Sequence, residues 1–332
     1  MSKIRFQLFI FGFGILIAAI KFALYSYTGS NAIFSDALES LVNVTASLIT
    51  LYSLYLASKP KDLAHPYGHG KIEFVAAGIE GSLLLVAGVF TIYKTISDYL
   101  ISSEVHVHMS FVIMTVGLGL SNYVLGYFSK QKGMKTNSPS LIAGGVHLQS
   151  DALTSIGILV SLIVIYLTGW DMIDTIIAIL AGLFMIYQGF RVFKRSLLDI
   201  LDTADEEMLS KVIDYLQEKR DEHMIDIHNF RIIKYGSEYH IDAHLTLPYY
   251  FTNLEVHREM KEVHEMINEH FNSEVELFIH PDPCESFCCN YCQILDCQVR
   301  KEPFQKTIVW TLDNVLKNEK HGSENPIDRS ND

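Results

Sequence analysis

The sequence predicts an α-helical polytopic membrane domain of six transmembrane helices over residues 1–200, joined to a small cytoplasmic α/β domain over 201–283 and a Cys-rich tail over 284–332. Three observations carry that prediction. Six apolar runs, each long enough to cross about 30 Å of hydrocarbon as a helix, crowd the first two thirds of the chain. The acidic charge is concentrated beyond them: residues 1–200 hold 13 Lys and Arg against 11 Asp and Glu, and residues 201–332 hold 13 against 27. The hydrophobic pattern also shortens there, from long runs to strand-length and amphipathic stretches.

The runs lie near 6–27, 32–57, 73–98, 109–129, 139–167 and 172–192. The first follows Met-Ser-Lys-Ile-Arg, yet it is too long for a signal peptide, lacks a small-residue cleavage site and precedes further spans, so it reads as retained. The second is the least hydrophobic: Asp36, Glu39, Ser40, Asn43, Ser47 and Thr50 recur at helical spacing as a polar stripe. That face cannot point at lipid. Basic residues gather on one side, at Lys3 and Arg5, at Lys59, Lys61 and Lys71, at Lys130, Lys132 and Lys135, and at Arg191, Lys194 and Arg195, with Lys94 on the other. Both termini are therefore expected in the cytoplasm of a multi-pass cell-membrane protein.

The C-terminal segment reads as a helix over 204–219, strands over 225–235 and 238–247 separated by Gly236-Ser237, an amphipathic helix over 253–271 and a last strand over 275–280. That α-β-β-α-β order is the order of a ferredoxin-like layer. The remaining tail reads as short and polar, with one amphipathic stretch near 304–316. The acidic excess excludes nucleic acid as a partner, because binding there rests on clustered Lys and Arg. It suits cations.

A carboxylate mid-span costs roughly 2.5–3.5 kcal/mol on insertion scales, so Glu39 and Asp151 call for a partner or a function. His147 and Asp151 stand four residues apart, which puts imidazole and carboxylate on one helix face, and Glu39 with Asn43 repeats the spacing. Facing each other, the two pairs offer one nitrogen and side-chain oxygens to a divalent ion: Zn²⁺ first, with Fe²⁺, Mn²⁺, Co²⁺ and Cd²⁺ harder to exclude. Asp36 is read either as an entry ligand or as an interface residue. All five cysteines, Cys284, Cys288, Cys289, Cys292 and Cys297, fall in one segment. In a reducing cytoplasm their spacing is that of a soft-metal site rather than of disulfides.

Four stretches together resemble the cation diffusion facilitator family of metal–proton antiporters: Asp36-Ala-Leu-Glu-Ser-Leu-Val-Asn43, His65-Pro-Tyr-Gly-His-Gly-Lys71, His147-Leu-Gln-Ser-Asp151 and His280-Pro-Asp-Pro-Cys284. The resemblance implies efflux of a divalent metal in exchange for protons by a homodimer, with Glu39, Asn43, His147 and Asp151 as the transport site. Family members commonly place Asp or His first and Asp second on span two, where this chain has Glu and Asn. The resemblance also implies a looser loop site at Asp62, His65 and His69, and cytoplasmic metal ligands at His228, His244, His257, His280 and Asp282. His223, His240, His264 and His270 match nothing in it, and the cysteine segment is an addition to it.

Two other classes compete. An intramembrane metalloenzyme would need an activated water and a motif such as His-Glu-x-x-His, which the sequence lacks. A membrane-anchored metal sensor without transport would have no use for a buried polar stripe on span two.

Overall fold

A chain entering hydrocarbon must satisfy its own backbone polar groups, and the first two hundred residues do so as long helices. The computed structural model describes residues 3–101, 109–136, 138–170, 172–204, 206–236, 238–271 and 275–323. The chain divides into two units, Met1–Leu201 and Asp202–Asp332. The expected turn residue Ser237, the side chain of His270 and the tail beyond residue 323 lie outside the described residues.

The first unit contains α1 (Lys3–Thr28), α2 (Asn31–Ala57), α3 (Ile72–Ile101), α4 (Met109–Lys135), α5 (Pro139–Thr168) and α6 (Met172–Ile200). It is a polytopic membrane domain. Five of these helices are long and apolar enough to cross a membrane, while the apolar stretch of α5 among the described residues, Ser155–Thr168, is shorter than a span. α3 runs along α6, α4 along α5 and α1 along α2.

Two devices hold the helices. At one end of α2 the Asp174 carboxylate accepts the amides of Asn31 at 2.6 Å and Ala32 at 3.2 Å and the hydroxyl of Ser30 at 2.5 Å. A negative charge there answers both the orphan amides and the positive end of the helix dipole. Along α3 and α6 the backbones nearly touch: a Cβ added at Gly189 would lie 2.7 Å from the Gly81 carbonyl oxygen. Small residues permit this approach, which supplies packing where lipid tails give no hydrophobic drive.

The second unit contains α7 (Glu206–Lys219), β1 (Asp226–Tyr235), β2 (Glu238–Leu247), α8 (Asn253–Phe271), β3 (Val275–Pro283), a 3₁₀ turn (Ser286–Asn290) and α9 (Leu312–Val315). The strands form one sheet in the order β1-β2-β3, with β1 antiparallel and β3 parallel to β2. Leu209, Val212, Ile213 and Leu216 recur at helical spacing on α7 and pack with Val263 and Ile267 of α8 and with Phe230, Ile241 and Leu245 of the sheet. β3 runs three residues past its expected end, because pairing with β2 continues from His244↔His280 to Leu247↔Pro283.

Part of the segment beyond residue 283 packs into the second unit. Trp310 and Val315 are buried in this same core, the Arg220 guanidinium lies 4.1 Å from the Trp310 ring centre, and the Asn229 amide donates to the Lys317 carbonyl at 2.7 Å. Both apolar side chains belong to the amphipathic stretch expected near 304–316.

Gly189→Leu is expected to lower the unfolding temperature of the purified protein, at a cost of about 1–3 kcal/mol for overpacking. Gly117, whose added Cβ would meet nothing within 4 Å, serves as control. Gly117→Ala should leave stability unchanged or raise it slightly. Equal behaviour of the two variants, followed by thermal melts in detergent, would contradict the close-packing account.

Candidate metal centre

The polar faces of α2 and α5 meet. Glu39, His147 and Asp151 are 2, 4 and 1% exposed, and each offers one ligand atom within 4.8 Å of the others. Asn43 joins the two helices: its Nδ2 donates to Asp151 Oδ2, and its Oδ1 stands 2.6 Å from His147 Nε2. The amide oxygen can only accept, so Nε2 of His147 is the donor of this pair. Nδ1 faces Asp151 Oδ1 at 3.6 Å, beyond hydrogen-bonding distance. Two carboxylates and one imidazole thus bring a ligand atom each within 4.8 Å of one another.

Asn43 was expected beside these three as a fourth ligand. The structure brings it to the site, but both of its polar atoms are engaged by other members of the cluster. Asp36 turns out to be an ion-pair residue, held by Lys21 of α1 at 2.6 Å with both side chains buried. Lys21 went unread because one lysine barely lowers the hydropathy of a long apolar run.

Glu80 of α3 was also missed. It is 5% exposed, and no hydrogen bond or ion pair to it is found among the described residues. It lines a cavity of about 30 Å³ with Gln7, Asn43, Ser47, Thr50 and His147. That is room for a water or a bare ion. Gln7, near the start of α1, and Thr50, two turns beyond Asn43, place the cavity between the ligand cluster and the end of the bundle that carries the basic loops.

The loop after α2 gathers Asp62, His65 and His69. Asp62 accepts the amides of Ala64 at 3.0 Å and His65 at 2.7 Å, a local turn of the kind Asp favours. The His65 amide bond is the foremost of the interactions that hold this carboxyl below the usual range. The His65 and His69 rings lie 4.2 Å apart, and their nitrogens are 3.1 and 3.6 Å from the Asp62 oxygens.

In the second unit the sheet register does the gathering. His228 pairs with His244 across β1 and β2, His244 with His280 across β2 and β3, and Asp282 follows two residues on. Period-two alternation puts His280 and Asp282 on one face. Asp282 Oδ2 is 3.3 Å from His228 Nε2 and 3.1 Å from His244 Nδ1, and its Oδ1 is 3.5 Å from His280 Nε2. His257 is exposed on α8 and is not brought to this cluster.

Behind His228 stands Asp226, 3.5 Å from Nδ1 and bonded to His321. Burial pushes its carboxyl up, yet the nearby His228 ring and the bonds from His321 outweigh that and leave it below the usual range, hence ionised at neutral pH. His321 was hidden in the supposed tail. A further group, Asp221, His223 and Glu259, was not anticipated; His223 Nδ1 is 3.0 Å from Glu259 Oε1. Its signal was a histidine two residues from an aspartate, too common to read alone.

The cysteines gather less tightly. Among the described residues no trio that includes a thiol falls within 4.8 Å.

Comparison with known proteins agrees with this geometry. Residues 8–201 match the family model for the cation efflux transmembrane domain, and residues 204–284 match that for the cation efflux protein cytoplasmic domain. The cation-efflux pump FieF of Citrobacter koseri is 27% identical over 271 residues, 81% of this chain and 89% of that one. The magnetosome protein MamB of a Magnetospira species is 26% identical over 220 residues, 66% and 74% of the two chains. An uncharacterized transporter of a Synechocystis species is 26% identical over 241 residues, 73% and 78%.

If Asp226 orients His228, Asp226→Asn should weaken Zn²⁺ binding at the His228–His244–Asp282 cluster by roughly 10- to 100-fold. Titration of full-length protein that also carries Asp151→Ala isolates this cluster from the membrane site. Unchanged affinity would rule out the orienting role.

Proposed function

The chain belongs to the cation efflux family of divalent-metal transporters, which are secondary transporters rather than enzymes, and on that premise we propose that it exports a divalent transition metal in exchange for protons. One observation carries the proposal: Glu39, His147 and Asp151 converge within 4.8 Å on the interior of a membrane bundle. Anchoring a sensor requires no such cluster, and ionisable groups at that depth are costly unless they serve a pathway.

Glu39, Asp151 and His147 Nδ1 are the proposed ligands, with Asn43 fixing the imidazole tautomer as supporting groups do around metal-bound histidines. One imidazole and two carboxylates with an open fourth position suit Zn²⁺ best, while Fe²⁺, Mn²⁺, Co²⁺ and Cd²⁺ remain compatible with the donor set. Ligands bind metal only when deprotonated, so a departing ion leaves behind a site that takes up protons. Protons entering from outside then drive metal outward as the site faces the two sides alternately. The outward direction follows the relatives named as cation-efflux pumps.

The rest of the assignment extends this reading. α5 serves as the sixth span, the basic loops and both termini face the cytoplasm, and the ferredoxin-like unit of 201–283 joins two copies into a dimer. Metal at His228, His244, His280 and Asp282, with His257 supplied across that dimer, biases the bundle toward release through unequal affinity for its two states. The Asp62, His65 and His69 loop collects ions near the cytoplasmic entrance. Glu80, in the cavity beside His147, passes protons or ions between that entrance and the site.

Proton-driven uptake into inverted vesicles, run with Zn²⁺, Fe²⁺, Mn²⁺ and Co²⁺, tests the assignment. Asp151→Ala should abolish transport of every metal, and full activity would sink the site. Asn43→Asp adds a negative charge and should reorder the metals, so an unchanged ranking contradicts a role for Asn43. Glu80→Gln should slow transport severalfold while keeping the ranking. If the rate is unaltered, Glu80 lies off the path.

A further inference from the structure

The five thiols divide into two kinds. Cys288 is 0% exposed in a small core with Ile225, Tyr291, Cys292 and Ile294, where its sulfur accepts from the Tyr291 hydroxyl at 3.3 Å and the Glu285 amide at 3.4 Å, whereas Cys292 at the edge of that core is 6% exposed. Burial pushes its thiol up to about 11. It behaves as a core hydrophobe. Besides burial and those two bonds, the groups acting on it are Lys320 and Asp226 rather than other cysteines.

The other four sit in one short segment at the edge of that core. Cys284 lies within electrostatic reach of Cys289, Cys292 and Cys297, and Cys292 within reach of Cys289 and Cys297. They border a cleft of about 1320 Å³. The segment carrying them is pinned by Arg300, whose guanidinium donates to the carbonyls of Cys289 at 2.7 Å, Cys292 at 3.0 Å and Ile294 at 2.7 Å. This sets a fixed positive charge beside the sulfurs. The Tyr249 amide donates to Cys284 Sγ at 3.4 Å. Backbone N–H groups on sulfur and a nearby cation are what a thiolate-rich centre needs to offset its negative charge.

The spacing selects the centre. A single tetrahedral zinc with Zn–S of about 2.3 Å requires thiolates roughly 3.8 Å apart. No trio including a thiol comes within 4.8 Å among the described residues, although the residues that carry the thiols line one cleft. Four thiols that line one cleft without converging on one point fit a centre with several metal atoms and bridging sulfides.

We propose that Cys284, Cys289, Cys292 and Cys297 ligate an iron–sulfur cluster and that Cys288 does not. The site lies almost wholly beyond the matched family domains, which end at residue 284, and it is independent of the transport reading. The cluster fastens the 284–323 segment to the sheet domain, where that segment also contributes Trp310 and His321.

The test is full-length protein purified without oxygen and assayed for iron, acid-labile sulfide and visible absorption. Iron and sulfide in equal amounts are expected, with a visible band that bleaches on oxidation. Cys289→Ser and Cys297→Ser, at half-buried positions, should lose iron and sulfide while keeping the far-UV circular dichroism of the parent. Cys288→Ala should retain both. Zinc in place of iron and sulfide, neither metal, or loss from Cys288→Ala equal to that from Cys289→Ser would overturn the proposal.

Discussion

The amide of Asn43 touches both working residues of α5, and the geometry of the membrane site follows from that contact. By donating to Asp151 and accepting from His147 Nε2, one side chain of α2 fixes the rotation of the imidazole, the choice of its tautomer and the distance between the two helices. A carboxylate in the place of Asn43 would hold the imidazole as well, but it would add a negative charge where Glu39 and Asp151 already bring two. The pairing of Asp36 with Lys21 one turn away works in the same direction, keeping a third carboxylate from adding uncompensated charge. A buried ion pair is seldom a large net gain in stability, but losing one partner is costly. Under the proposed assignment, the cluster is a charge balance that suits one divalent ion.

The surrounding helices make that balance rigid. Asp174 fixes the far end of α2, and the Gly81–Gly189 approach locks α3 against α6, so the small cavity holding Glu80 is bounded by elements that cannot spread without losing tight packing. In the second unit the same economy appears in the sheet. Adjacent strands place three histidines in a row, and the parallel extension of β3 carries Asp282 up beside them.

Much of this was legible in the sequence, for reasons that differ by residue. Glu39, His147 and Asp151 stood out because charge in hydrocarbon is expensive and helical spacing put them on facing stripes. The helix and strand order of the second unit followed from periodicity and from the turn at Gly236. Asn43 was expected as a fourth ligand, but residue type does not reveal that both ends of its amide are occupied. Lys21 and Glu80 each sit alone in an apolar run, and pairing across helices leaves no local pattern. Trp310 falls in the amphipathic stretch near 304–316, but His321 beyond it carried no pattern, and with it the support behind His228 was lost. The division of the cysteines depends on burial, which spacing does not encode.

The central claim is that Glu39, His147 and Asp151 trade protons for metal. It is tested most directly by the protons released when Zn²⁺ is added to full-length protein in weakly buffered detergent, with the loop and sheet clusters disabled by Asp62→Ala and His244→Ala. The account predicts release that saturates with the metal and disappears in Asp151→Ala. Metal binding without proton release, or equal release from Asp151→Ala, would contradict it.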